Sequence, residues 1–144
     1  MTQEKVERLA MVYARIALGT AFLSAVAGRF GLWDRTVDGA HFQRFIAYTG
    51  QVNAFMPAST IPFLAWAATI AEITCGVALI AGFYLRWAAL ASAALLAMFA
   101  LAMAFSLGAK SPLDYSVFSA SAGALLLAVF VSRTEGRPQS DSEI

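Results

Sequence analysis

The sequence predicts an all-α integral membrane protein, a four-helix bundle with a short interfacial helix between its first and second transmembrane helices. Of the 144 residues, 60% are hydrophobic and only 13% are charged. The mean hydropathy is +0.68. Soluble domains contain about 25% charged residues, and a small domain cannot hide this much apolar surface from water. The apolar residues also form four long segments, each able to cross about 30 Å of hydrocarbon.

These four segments differ in the charges they contain. We predict helices at about residues 9–33, 61–84, 87–109 and 115–132. The first contains Arg15 and Arg29 toward its ends, and the second is interrupted by a single charge, Glu72. The other two are uncharged.

The long connection between the first two segments contains a helical pattern at about residues 38–56. Asp38 is a suitable N-cap, and Gly50 is placed to end the helix. The apolar residues between them follow the spacing of one helical face: Phe42, Phe45, Ile46 and Tyr48. We expect this segment to lie on the membrane surface or to cap the mouth of the bundle.

We therefore expect one transmembrane domain over residues 1–132 and a polar, disordered tail over residues 133–144. With four spans both termini lie on one side, and that side holds more of the basic residues, which places it in the cytoplasm. Within the bundle, small residues spaced four apart predict close helix contacts. Examples are Ala17, Ala21 and Ala25, then Ala89, Ala93 and Ala97, and then Ser119 and Gly123.

Composition excludes several kinds of redox centre. The chain contains one cysteine, Cys75, and one histidine, His41. It therefore cannot form an internal disulfide, a haem site with two histidines, a four-cysteine iron–sulfur site or a metal site of cysteines and histidines alone. We expect no metal site and no cofactor within the chain apart from a bound quinone. The scattered basic residues, at a net charge of +1, argue against nucleic acid as a partner.

The charges inside the predicted spans are the candidate functional residues, because a charge in lipid costs several kcal/mol. Glu72 lies near the middle of its span and must be protonated or paired. Arg29 and Arg15 are its candidate partners, each about 10–12 Å away along the helix axis if the helix centres are level. We favour Arg29 with Glu72 as the catalytic pair and Arg15 as a ligand-binding residue. A pairing of Glu72 with Arg15, or a pair that only fixes helix register, remains an alternative.

Aromatic residues on the outer side of Glu72 suggest an apolar pocket. Phe55, Phe63 and Trp66 precede Glu72 in the chain. We predict that they line a pocket suited to a flat ring. Cys75 is interpreted as a small buried apolar residue, and His41 as an interfacial one.

Two blocks of sequence resemble DoxX-like membrane proteins. The first is Arg15-Ile16-Ala17-Leu18-Gly19 with Phe22-Leu23 and Gly28-Arg29. The second runs from Ala71-Glu72 through Gly76, Leu79 and Gly82 to Arg86-Trp87-Ala88-Ala89. The chain departs from the family pattern in having Arg29 where lysine is common, and in the apolar run that ends its last helix.

The resemblance implies a four-helix protein of the bacterial inner membrane. The family takes its name from a subunit of thiosulfate:quinone oxidoreductase, and relatives are linked to sulfur-stress and oxidative-stress complexes. We therefore favour a membrane subunit of a quinone-linked redox complex, acting as a homo-oligomer or with partner subunits. A non-catalytic scaffold and an oligomeric small-solute or proton transporter are the alternatives. The sequence leaves open whether the chain is itself an enzyme.

Overall fold

The computed structural model of the protein describes residues 2–35 and 37–135, and six α-helices account for most of them. They are α1 Gln3–Arg29, α2 Gly39–Val52, α3 Ile61–Ala81, α4 Leu85–Leu107, α5 Lys110–Asp114 and α6 Val117–Glu135. A 3-10 turn, Ala58–Thr60, leads directly into α3. Four of the described helices, α1, α3, α4 and α6, are long and apolar enough to span a membrane. The prediction of an all-α, multi-pass membrane bundle is confirmed.

The helix ends differ from the predicted ones where local backbone chemistry decides them. α1 begins at Gln3, because its polar first turns continue the helix beyond the apolar stretch. α3 ends at Ala81 because Gly82 adopts the left-handed conformation, with φ of 78°. α6 begins only after Ser116, which has a positive φ. Residues 133–135, predicted to belong to the tail, continue α6. Residues 136–144, the rest of the predicted disordered tail, lie outside the described residues.

The helix α2 begins as its sequence predicts and ends at Val52, two residues after Gly50. Asp38 Oδ1 accepts hydrogen bonds from the backbone N–H groups of Ala40 at 3.1 Å and His41 at 3.3 Å. The His41 side chain, 2.7 Å from the same oxygen, is the largest cause that holds the pKa of Asp38 below its ordinary value of 3.8. The Asp38 cap therefore stabilises α2 fully at pH values above about 3.8. Its contribution weakens as the pH falls through the lowered pKa of Asp38.

The two main pairs of long helices are α1 with α3 and α4 with α6. α1 and α3 approach most closely where Gly19 meets Gly76. A Cβ on Gly19 would lie 2.6 Å from Ile80 Cγ1 and 2.9 Å from the Gly76 carbonyl oxygen. The predicted contact row Ala17, Ala21 and Ala25 is instead exposed in the described chain. The closest packing of α1 is thus made by a glycine pair, where the absence of side chains lets the backbones touch.

The bundle is packed differently at its two ends. We call the end where α1 begins and α6 ends the terminal end, and the end covered by α2 the α2 end. A buried apolar cluster fills the terminal end. Its members include Phe22, Cys75, Leu79, Ala89, Leu127 and Val131. At the α2 end the long helices surround a cavity, and α2 packs against α1, α3 and α4.

Candidate functional site

Arg29 and Glu72 form an ion pair inside the bundle. Arg29 Nη2 lies 2.7 Å from Glu72 Oε1, and Glu72 is 2% exposed. The Gly19–Gly76 crossing determines which residues of α1 and α3 lie at the same level, because the two helices are antiparallel. Counted from that crossing, Arg29 lies about 9 Å farther toward the α2 end than Glu72. The arginine stem spans the difference by folding back toward the start of its own helix, the direction in which helical side chains lean.

The guanidinium of Arg29 is fixed by two further contacts. Arg29 Nη1 donates to Thr69 Oγ1 at 3.0 Å, and that hydroxyl donates to the Ala65 carbonyl oxygen at 2.8 Å. The ring of Phe45 in α2 lies 3.8 Å from the guanidinium carbon, a cation–π contact. Residues from α1, α2 and α3 therefore hold the charged group in one place.

The second carboxylate oxygen of Glu72 is left without a partner. Glu72 Oε2 is buried and has no hydrogen-bond partner among residues 2–35 and 37–135. Both Glu72 and Arg29 line the cavity at the α2 end. An unpaired polar atom at such a depth costs free energy. Glu72 therefore keeps an unused hydrogen-bond acceptor beside the cavity.

The cavity itself has a volume of about 1440 Å³ and is lined mostly by apolar side chains. Ligand pockets commonly measure about 300–1,000 Å³, so a ring with a substantial tail fits inside it. Each of the elements α1 to α4 contributes, as does the start of α6. Representative residues are Phe22, Ala25, Tyr48, Ala68, Phe99 and Val117.

The outer part of the cavity contains additional polar groups. Ser106 Oγ, in α4, is buried and lacks a hydrogen-bond partner in the described part of the chain. Burial raises the pKa of the Tyr48 phenol, and the neighbouring Tyr115 phenol raises it further. All three residues line the cavity. These three residues place neutral hydrogen-bonding groups at the opening of the cavity. The charged groups among its lining residues are those of the buried ion pair.

The predicted aromatic residues separate into two groups. Phe55 lines the cavity. Phe63 and Trp66 lie on the outer stripe of α3, where they are 74% and 48% exposed. That stripe faces away from the cavity, because the cavity side of the same helix is occupied by Leu64, Ala68 and Glu72.

Trp66 instead packs beneath α2. Its ring centroid lies 4.4 Å from that of Phe42. Phe42 also stacks on Phe30, at 5.4 Å. The aromatic residues thus attach α2 to α1 and α3, and through α2 they help to position Phe45 over Arg29.

Arg15 lies at the terminal end of the bundle, away from the cavity. Its Nε donates to the Leu79 carbonyl at 3.0 Å and its Nη2 to the Ile80 carbonyl at 2.7 Å. These carbonyls belong to the last turn of α3, where backbone carbonyl groups have no hydrogen-bond partners within the helix. The guanidinium of Arg15 packs against Gly82, whose φ of 78° favours glycine at this position. Arg15 is therefore a helix cap, and the structure does not bring it to Glu72.

Two contributors to the site were missed by sequence reasoning. Thr69 precedes Glu72 by three residues, and helical periodicity alone places both on one face. Phe45 was assigned to the apolar face of α2, but its contact with Arg29 depends on how α2 docks. Cys75 is buried in the apolar cluster. His41 bridges Asp38 and, at 3.1 Å, Asp34. Over the described ranges no cluster of His, Cys, Asp and Glu could hold a metal ion.

The family model of DoxX matches residues 10–106, about two thirds of the chain. The match extends from α1 to the last turn of α4 and includes both Arg29 and Glu72. No curated protein and no solved structure matches the chain. The family match and the four membrane-spanning helices agree with the resemblance seen in the sequence, and the chain belongs to the DoxX family.

Proposed function

We propose that this protein is a membrane subunit of a quinone-linked redox complex and that its cavity binds the quinone headgroup. The observation that supports this most directly is the unpartnered Glu72 Oε2 on the wall of a large apolar cavity. A ligand that is apolar over most of its surface and polar at one end matches that combination.

The route into the cavity suits a ligand dissolved in lipid. Several residues that line it are also exposed at the surface of the bundle, among them Met98, Leu101 and Phe105 in α4. This surface faces hydrocarbon in a membrane-spanning helix. A quinone can therefore leave its isoprenoid tail in the bilayer while its ring enters toward Glu72.

The ion pair has the chemistry that quinone reduction needs. Conversion of a quinone to a hydroquinone takes up two electrons and two protons. In this proposal Glu72, which rests as a carboxylate, takes up a proton and passes it to a ring oxygen, and Arg29 stabilises negative charge that develops on the ring. The electrons come from a partner redox subunit, because one histidine and one cysteine cannot form a haem site with two histidines or a four-cysteine iron–sulfur site. We place this complex in the bacterial inner membrane, with the termini of this chain in the cytoplasm.

The test is native mass spectrometry of the protein in lipid nanodiscs, with Ala68→Phe as the informative variant. Ala68 lines the cavity one turn before Glu72, so a phenyl group there fills the space beside the carboxylate. Ala17→Phe is the matched control, because Ala17 is exposed and does not line the cavity. We expect a quinone or hydroquinone mass on the wild type and on Ala17→Phe, and at least about tenfold less on Ala68→Phe, the loss of roughly 1.4 kcal/mol of binding.

The scaffold hypothesis makes the opposite prediction. A wild-type protein that retains a soluble partner and no quinone, and whose partner binding is unaffected by Ala68→Phe, would replace the quinone proposal with an anchoring function. Co-purifying subunits in the same spectra would identify the complex in either case.

A further inference from the structure

We infer that the cavity is selective for a ring that donates a hydrogen bond, so that the hydroquinone form binds more tightly than the quinone. The inference rests on the proposed function and names the chemical form that the site recognises. It follows from the donors and acceptors around Glu72.

Arg29 and Glu72 are both charged in this pair. The guanidinium of Arg29 is protonated at all relevant pH values, and its side chain is only 12% exposed. Glu72 is its ion-pair partner, and within the described ranges no other acidic group lies within ion-pair distance of it. A neutral Glu72 would leave a buried cation uncompensated, which is strongly unfavourable. Glu72 is therefore a carboxylate, a group that only accepts hydrogen bonds.

No protein group donates to the second carboxylate oxygen of Glu72 in the described residues. Arg29 Nη2 donates to Glu72 Oε1, and Nη1 to Thr69. The Thr69 hydroxyl donates its proton to Ala65, so it has none for Glu72. Nothing else in the described residues donates to Oε2. A ligand that donates a hydrogen bond can therefore satisfy this oxygen.

The two redox forms of a quinone differ in this property. A quinone carbonyl has lone pairs and no proton, so its oxygen beside Glu72 Oε2 would face another acceptor. A hydroquinone hydroxyl donates to Oε2 and still accepts. Arg29 has five N–H groups, and those not bonded to Thr69 or Glu72 can donate to the same hydroxyl oxygen. One hydroxyl thus satisfies both members of the ion pair, which a carbonyl cannot do.

The experiment compares three ring compounds on the full-length protein in nanodiscs under anaerobic conditions. They are a decyl-substituted benzohydroquinone, the corresponding quinone, and the dimethyl ether of the hydroquinone, which has the same aromatic ring but no O–H. Competition is measured by native mass spectrometry. We expect the hydroquinone to bind at least about tenfold more tightly than the other two, which is the effect of one hydrogen bond to a charged group.

Glu72→Gln provides the second measurement, because an amide offers both a donor and an acceptor. In this variant we expect the preference for hydroquinone to fall to about threefold or less, on a chain whose unfolding temperature shows that it is folded. Equal binding of all three compounds to the wild type, or tighter binding of the quinone, would overturn the inference and leave the proposed site standing. Binding of none of the three would refute the proposed function itself.

Discussion

Glu72 and Arg29 illustrate how a membrane protein holds two charges away from water. Each is nearly inaccessible, and each is satisfied mainly by the other, at 2.7 Å. Thr69 and Phe45 add a hydrogen bond and a cation–π contact on the arginine side only. The carboxylate is therefore the less satisfied member, and the pair is held by contacts made to Arg29.

Removal of Arg29 should consequently be more damaging than removal of both charges. Arg29→Gln leaves a buried carboxylate uncompensated, for which we expect a loss of about 3–5 kcal/mol in unfolding free energy. The double variant Arg29→Gln with Glu72→Gln replaces the ion pair by two neutral amides and should recover at least half of that loss. Thermal and denaturant unfolding in mild detergent would measure both.

Together with Glu72→Gln, these two variants form a double-mutant cycle, which measures the interaction free energy between the two charges. An Arg29→Gln variant as stable as the wild type would mean that the two charges do not stabilise each other. Thr74→Val is a suitable control on the same helix, since the Thr74 hydroxyl is exposed and bonds only to its own helix at Ile70.

The identity of the charged residues could be read from the sequence, but their partners could not. Few charges occur inside the spans, so Glu72, Arg29 and Arg15 were evident candidates. The choice between the two arginines depends on the offset of α1 against α3, which hydropathy does not encode. The same limit applies to Trp66, whose position under α2 depends on the rotation of α3 about its axis.

At the scale of helices, the crossing of α1 and α3 determines the site. The contact of Gly19 with Gly76 leaves no space for a side chain on Gly19 and little space for one on Gly76. Periodicity pointed to the alanine row of α1 as the close contact, because rows of small residues are frequent in an alanine-rich membrane chain. The N-cap and apolar face of α2 were predictable because both depend on residues within one or two turns.

A methyl group at this crossing should separate the two helices. In Gly76→Ala the new Cβ would lie 3.0 Å from Leu23 and 3.1 Å from the Gly19 carbonyl oxygen. We expect a destabilisation of about 1–3 kcal/mol from overpacking, together with weaker retention of the cavity ligand because Arg29 shifts relative to Glu72. Unfolding in detergent and native mass spectrometry would report the two effects separately.

Gly123→Ala in α6 is the matched control. A Cβ there meets nothing within 4 Å, and alanine is favoured over glycine inside a helix by up to about 1 kcal/mol. This variant should be as stable as the wild type or more so. Equal stability of Gly76→Ala and Gly123→Ala would show that α1 and α3 do not depend on close backbone contact.

The whole molecule is asymmetric along the membrane normal. Packed apolar side chains occupy most of its terminal end, and Arg15 caps the end of α3 there. Its α2 end contains the cavity and the ion pair. Hydropathy predicts the four spans equally well at both ends, because it measures composition. The cavity is lined by residues from several helices, and no segment of the sequence encodes it alone.

This asymmetry should appear as a gradient of local stability within single helices, because regions with few packed contacts open more easily. In α4, residues 88–95 lie mostly in the packed part, whereas residues 98–106 lie mostly along the cavity. We expect amide hydrogens of the second segment to exchange about tenfold faster, a difference of roughly 1.4 kcal/mol in opening free energy. Hydrogen exchange with mass spectrometry in nanodiscs would measure this.

Chain direction separates this effect from ordinary fraying at helix ends. α3 runs antiparallel to α4, so its cavity segment, residues 64–72, comes before its packed segment, residues 75–81. If the cavity is the cause, exchange is faster in the first part of α3 and in the last part of α4. Ala68→Phe should slow exchange in both cavity segments, because the added ring fills space that they share, and it should leave the packed segments unchanged. Faster exchange at the terminal end of either helix, or no response to Ala68→Phe, would contradict a bundle that is closed at one end and open at the other.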